Sequence, residues 1–571
     1  GWHRFITACA QIDVNAGLLE FLNEGYFCYC PNVKVNVANG AVFKAPKRLY
    51  YGCGTGTDFK ENLPGSVITV AKGGQYVVSN WGRSDAAVGS LVLNDASGLD
   101  LTHAAGYFLF CGKVTLNGDG NPYAWGFDGS IGLRAWGTPV EFQVADVTGG
   151  ENCDDVTDFA LGVQMIDQQD YEGNGGFVKS GPGKMQLVSF ASEFTGDIDI
   201  KAGELSVGRN TQVWNDLGYH RPTYFGYMDR NQNRTITARK GTTLRFTDSY
   251  ALGPVDDAWV DNPTSITNEH LVGTFVMDGG ALKITGGQLM AFPSMTFQNG
   301  ATVEAGYGSG GEGRVRFLGT VAVKKVEDGD NAPFVWPVDP SFSDLTAQSL
   351  TLNGYPENTF HVEDLTGDGQ PDATFEIPFA ISHAFFRKDT PSGGHALSDW
   401  AFGFTKTGAG TMRYAGASYC VYYQDEISYC AYNGDTKVDE GTLQVDGDIH
   451  LSDTVRVAAG AYLSGTGIVN NVTLAAGGGF RAFAQQADAL TVNGVLEVGE
   501  NPVVDIMLPT GASAEEIKAN VFKTLGEVRG EENFANATGR VNGVATDQIR
   551  LSFRDGLLKA KYAKGLCILF R

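Results

Sequence analysis

Two stretches of this 571-residue chain are written alike, and that likeness constrains the fold more than any other feature. From Gly175, GGFVKSGPGKMQL leads to IDIKAGELSVG, ending at Gly208; from Gly403, GFTKTGAGTMRY leads to TKVDEGTLQVDG, ending at Gly447. Each runs Lys, then Ser or Thr, Gly, any residue, Gly, a short gap and an apolar pair, and later a strand with Gly before x-Leu-x-Val. Gly181 with Gly183, and Gly408 with Gly410, supply backbone angles of a tight corner that a Cβ disfavours. Leu205 and Val207, or Leu443 and Val445, alternate with other residues and so point to one buried face. Repetition of strand and corner is the mark of a solenoid, whose coils each bury an apolar face on the coil before. Lys179 to Val207 spans 28 residues and Lys406 to Val445 spans 39, an excess of 11 that nearly matches the spacing of Cys420 and Cys430.

A solenoid also accounts for the length, because its core grows along one axis and escapes the size limit of a compact domain. The 76 glycines, with 43% hydrophobic and 11% aromatic residues, exclude disorder and imply many tight turns between buried strands. Segments such as Gly65 to Val77, Gly241 to Phe246 and Gly300 to Ala305 alternate polar and apolar residues between Gly or Asn-Gly breaks. Only Ala512 to Phe522, ASAEEIKANVF, has the spacing that predicts a helix. Coils of about 20 to 30 residues, rising about 4.8 Å each, are expected.

The net charge of −23, from 42 Lys and Arg against 65 Asp and Glu, excludes nucleic acid and anionic membrane as partners. No apolar run reaches the length of a membrane span, and a chain beginning with Gly reads as a processed, exported product. Nine cysteines fit an oxidising compartment with one thiol left over or bonded to another molecule.

The two units resemble the autotransporter-associated β-strand repeat, with its Lys-Thr-Gly-x-Gly turn and closing Gly-x-Leu-x-Val strand. Val455 to Ala475 and Ala489 to Val498 are similar to strands that follow this repeat in secreted bacterial passengers. The resemblance implies an all-β, right-handed parallel β-helix with a C-terminal β-rich cap. It also implies a bacterial protein that is secreted or on the outer cell surface: a structural protein, adhesin, or fibre or matrix subunit. No segment here is similar to the membrane β-barrel that ends an autotransporter, so the secretion route does not carry over. The expected organisation is a Cys-rich N-terminal cap over 1–60, a β-helix over 61–500 with insertions near 320–400 and 418–434, and a cap or assembly region over 501–571.

Among motifs that carry chemistry, Asp364 to Asp372, DLTGDGQPD, resembles a short calcium loop. Asp364, Thr366, Asp368 and Asp372 offer side-chain oxygens and Gln370 a carbonyl, matching the all-oxygen shell that calcium requires. Asp154, Asp155 and Asp158 group carboxylates as a β-helical polysaccharide lyase or glycoside hydrolase does, the alternative function; a solvated loop is the plainer reading. The eight histidines have no metal spacing. Tyr419 to Tyr432, YCVYYQDEISYCAY, reads either as a carbohydrate platform or as a hairpin packed on the solenoid, with Cys420 and Cys430 bridged at its base.

Ile549 to Phe553 and Leu557 to Tyr562 predict a terminal hairpin around Arg554-Asp555-Gly556. Beyond it, the strand Gly565, Leu566, Cys567, Ile568, Leu569, Phe570, Arg571 is apolar on both faces. It either closes the last coil or adds to another molecule, which would make the chain self-associate into an oligomer or fibre.

Overall fold

The structure, a computed structural model, describes residues 3–5, 11–20, 25–27, 33–45, 49–51, 66–80, 86–95, 98–104, 107–118, 120, 122–125, 130–133, 139–149, 157–162, 164–167, 175–188, 194, 196–208, 234–247, 273–285, 289–292, 294–305, 314–317, 319–337, 349–352, 358–367, 373–383, 403–416, 420–423, 426–430 and 432–563. Most of these residues lie in short strands, and most strands pair in parallel with the strand one coil away. The chain divides into two compact units, one of Gly1–Val255 with Asn268–Gly287 and one of Asp256–Thr267 with Gln288–Arg571.

In the first unit the main ladder runs through Gln11–Val14, Lys34–Val37, Val67–Val70, Ser90–Asn94, Lys113–Asn117, Val140–Val144, Phe177–Ser180, Ile198–Ile200, Thr235–Arg239 and Thr274–Asp278. A second ladder stacks Tyr123–Trp125, Phe159–Leu161, Lys184–Leu187, Glu204–Val207, Thr243–Phe246 and Ala281–Ile284. The period-2 alternation of each strand buries one row of side chains: Val35, Ile68, Leu91, Val114 and Phe142 lie in register and are fully buried. Each contributes about 1.5 to 3 kcal/mol by leaving water. This is the parallel β-helix the repeat predicts.

The second unit repeats the plan. One ladder takes in Thr320–Lys324, Asn358–Val362, Phe404–Thr407, Thr436–Val438, Asp448–Val457 and Ile468–Leu474. The other takes in Ala373–Ile377, Thr411–Tyr414, Thr442–Val445, Tyr462–Ser464, Gly479–Phe483, Val503–Met507 and Thr538–Val541.

Coil length is more variable than the 20 to 30 residues expected. Gln11 pairs with Lys34, 23 residues on, but Val455 pairs with Val472, 17 on, and Asn358 with Phe404, 46 on. Register belongs to the strands, so a longer connection can leave the ladder without shifting it.

Two local expectations have different outcomes. The helix over Ala512 to Phe522 does not form: a single 3-10 turn at Ala514–Glu516, capped by the Ser513 side chain, leads into the strand Lys518–Thr524. A register shift between Asn520 and Phe522 buries both Val521 and Phe522, and that doublet copies helical spacing. The terminal hairpin does form, between Ile549–Arg554 and Leu557–Tyr562, with Asp555 (φ 51°) and Gly556 (φ 71°) at the turn. Its second strand pairs antiparallel with Lys518–Thr524, which ends the parallel stacking and covers that edge.

Candidate functional site at the repeat turns

The two look-alike stretches fold into the same object. In both, the lysine stands in the inward-facing row of the main ladder, where apolar residues belong. Lys179 is stacked between Phe142 and Ile200, and Lys406 between Phe360 and Val438. Both lysines have 0% exposure. The alkyl stem fills the core while the ammonium turns back toward the corner of the coil.

There the ammonium donates to backbone carbonyl oxygens. Lys179 Nζ donates to Ser180 O (3.1 Å), Gly181 O (2.9 Å) and Ala202 O (2.9 Å). Lys406 Nζ donates to Thr407 O (2.9 Å), Gly408 O (2.6 Å) and Glu440 O (3.0 Å). In each set two acceptors belong to the lysine's own corner and one to the corner of the next coil. The lysine therefore ties successive coils together at the point where the chain turns away from its ladder and the backbone carbonyls lose strand partners.

The glycines follow from this crowding. Gly408 has φ +79°, and a Cβ there would lie 2.4 Å from Val362 O of the preceding coil. Gly441, on the next coil, has φ +65° and would place a Cβ 2.4 Å from Gly408 O and 2.5 Å from Gly410 O. Gly181 and Gly203 occupy the same places in the first copy. Backbone packed this closely admits no side chain, and so Lys and Gly recur together.

Burial brings Lys406 Nζ down to about 7, against the opposing pull of the Glu440 charge. Glu440 also accepts from Gly408 N through Oε2 at 2.8 Å, a bond the first copy lacks because Ala202 stands there. The first copy has instead a buried charge cluster across the adjoining corner: Glu204 Oε1 lies 3.3 Å from Lys184 Nζ and 2.7 Å from Arg245 Nε. These groups face carbonyls or one another and serve to hold the backbone.

Of the candidate calcium loop, Asp364 and Thr366 are brought together: Asp364 Oδ1 accepts from Thr366 Oγ1 (2.9 Å) and Gly367 N (2.8 Å). Asp368, Gln370 and Asp372 lie outside the described residues. No cluster of three or more His, Cys, Asp or Glu fit to hold a metal occurs among the described residues.

Asp154 and Asp155 also lie outside the described residues, but Asp158 does not, and it is no member of a solvated loop. It is 1% exposed. Its Oδ1 accepts from Val147 N, Thr148 N and Thr148 Oγ1 at 2.9 to 3.0 Å, and its Oδ2 from Lys184 N at 2.7 Å. Four bonds make it a pin between coils.

The 11-residue excess of the second copy is the hairpin Cys420–Tyr423 with Glu426–Cys430, whose register sets Cys420 opposite Cys430. Tyr432, at the end of the aromatic stretch, is buried and bonded to Thr436 Oγ1 at 3.0 Å, and burial pushes its hydroxyl up. It belongs to the core and not to a sugar platform. The strand Gly565 to Arg571 lies outside the described residues.

Sequence reasoning missed the inward position of the two lysines and the anchoring role of Asp158. The recurrence of Lys ahead of a Gly-x-Gly corner was the available signal for the first, and nothing marked the second.

The passenger-associated-transport-repeat family model matches residues 177–207 and 404–445, the two lysine-bearing units. Autotransporter passengers that carry this repeat are extracellular, and the parallel-strand stack agrees with a passenger β-helix. No curated protein matches the chain, and no solved structure does. No helix among the described residues is long and apolar enough to cross a membrane.

Proposed function

We propose that this chain is an exported passenger-type β-helix that serves at the bacterial surface as a structural or adhesive scaffold. The observation that supports this best is the coincidence of both family matches with the coils tied by buried lysine. A parallel stack whose corners are closed by its own side chains is rigid without a partner, and its connections are free to vary in length, as the 17- to 46-residue coils do. The acidic surface favours solubility and repels nucleic acid.

Within this reading, the strand Gly565 to Arg571 adds to the edge of a second copy, and Asp364 to Asp372 takes calcium. Labelling intact cells of the producing bacterium with an antibody raised against the folded chain tests the scaffold directly. Staining of unpermeabilised cells is expected, and staining that needs lysis contradicts the proposal. Deleting 565–571 is expected to leave a soluble monomer that no longer assembles; assembly without the segment removes self-association from the reading.

A further inference from the structure

The outer face of the second unit carries a groove of about 590 Å³ that the repeat turns do not explain. Phe483, Gln485, Arg413, Asp446, Asp488 and Glu516 line it. Phe483 is the last residue of the strand Gly479–Phe483, whose Phe480 and Ala482 fill the core, so alternation sends its ring outward, where it is 40% exposed. A single exposed apolar side chain is ordinary. One at the wall of a groove with fixed polar groups around it is not.

Those groups are held in place. The turn after Phe483 is pinned by Gln486, which is 8% exposed: its Oε1 accepts from Phe483 N, and its Nε2 donates to Gly465 O and Asn520 O at 3.2 and 3.0 Å. Arg413 donates to Asp446 at 2.7 Å and Glu376 at 3.0 Å, and the Asp446 carboxylate also receives Gln444 Nε2 and Thr466 N. Gln485 Nε2 reaches Glu516 at 3.1 Å. Ligand binding here would therefore cost little side-chain ordering.

The geometry points to a binding site for a neutral oligosaccharide with equatorial hydroxyls. A flat sugar face offers C–H groups to the Phe483 ring, as apolar surfaces do to aromatics. Its hydroxyls donate to carboxylates and accept from the Gln485 amide, groups that line the same groove as the ring. The volume suits about two or three hexose units, in the range of small-ligand pockets. Charge selects the class: Arg413 is already neutralised by Glu376 and Asp446, while Asp488 and Glu516 leave the groove acidic, so uronate or sulfate sugars are repelled. The inference rests on the surface-scaffold reading for its biological setting but on the groove alone for its chemistry.

Saturation-transfer NMR and calorimetric titration of the intact chain with cellotetraose, tetragalacturonate and hexalysine test it. Cellotetraose is expected to bind and tetragalacturonate not to bind. Phe483→Ala should weaken cellotetraose at least tenfold, Gln485→Ala about threefold, and Leu525→Ala, an exposed control 61% accessible, should leave it unchanged. No cellotetraose binding by the wild type, equal binding by a folded Phe483→Ala, or binding of hexalysine alone overturns the site. If Phe483→Ala does not fold, Gln485→Ala decides. Surface labelling that succeeds while cellotetraose fails sinks the groove and leaves the scaffold standing.

Discussion

The ammonium of Lys406, a residue with no exposed surface, lies 3.0 Å from the carbonyl oxygen of Glu440, one coil further along the helix. Lys179 and Ala202 repeat the contact at 2.9 Å. Removing the ammonium leaves three carbonyls at each corner without a donor. Lys406→Met and Lys179→Met, measured by denaturant unfolding at pH 6, should each cost about 1 to 3 kcal/mol, the range for leaving buried acceptors without a donor. No loss in either would mean that the stem, not the hydrogen bonds, matters.

Stability should depend on pH through the same group. An unfolded lysine titrates near 10.4, and Lys406 in the fold near 7. Between these values the unfolded chain binds a proton that the folded chain does not, so stability rises with pH across the window and is lost as pH falls toward 7. The slope from this group is at most about 1.4 kcal/mol per pH unit. Unfolding of wild type and Lys406→Met from pH 7 to 9.5 should show the difference between them changing with pH; parallel profiles would contradict the assignment.

Glycine substitutions should separate crowding from backbone angle. Gly441 and Gly460 both have positive φ, 65° and 78°, but only Gly441 has carbonyls within 2.5 Å of a built Cβ, while nothing lies within 4 Å at Gly460. Gly460→Ala should cost about 1 kcal/mol from conformation alone. Gly441→Ala should cost at least about 2 kcal/mol more, as overpacking against backbone does. Equal melting temperatures would contradict the close packing of the corners.

How much of this was legible in the sequence differs from feature to feature. The strands and corners were, because Gly181, Gly408 and the alternation of Leu443 with Val445 report backbone geometry directly. The 11-residue hairpin was legible as a length difference between copies. The helix expected over Ala512 to Phe522 was not refuted by local pattern, since only the neighbouring strand Leu557–Tyr562 fixes the bulge that buries Val521 beside Phe522. The lysine contacts were hidden for a related reason: Ala202 O and Glu440 O become acceptors only once the next coil is stacked. Asp158 reads as one of several acids until the fold brings Val147, Thr148 and Lys184 around it.

The register of the inserted hairpin puts Cys420 opposite Cys430. Directly opposed residues of an antiparallel pair have Cα atoms about 4.5 to 5.5 Å apart, within reach of a disulfide. Closing so short a loop should add about 2 to 3 kcal/mol. Peptide mapping without reduction should recover one linked fragment containing both residues; alkylation of both thiols in the native, unreduced protein would show that no bridge forms.

The burial of the two repeat lysines is the centre of this account, and acetylation of the native protein, read by mass spectrometry at each lysine, tests it most directly. Lys201, Lys240 and Lys559 are exposed and should be modified rapidly. Lys179 and Lys406 should stay unmodified until the chain is denatured, and then react like the others. Acetylation of Lys179 and Lys406 at the rate of Lys201 under native conditions would contradict the buried turns on which the fold and its proposed role are built.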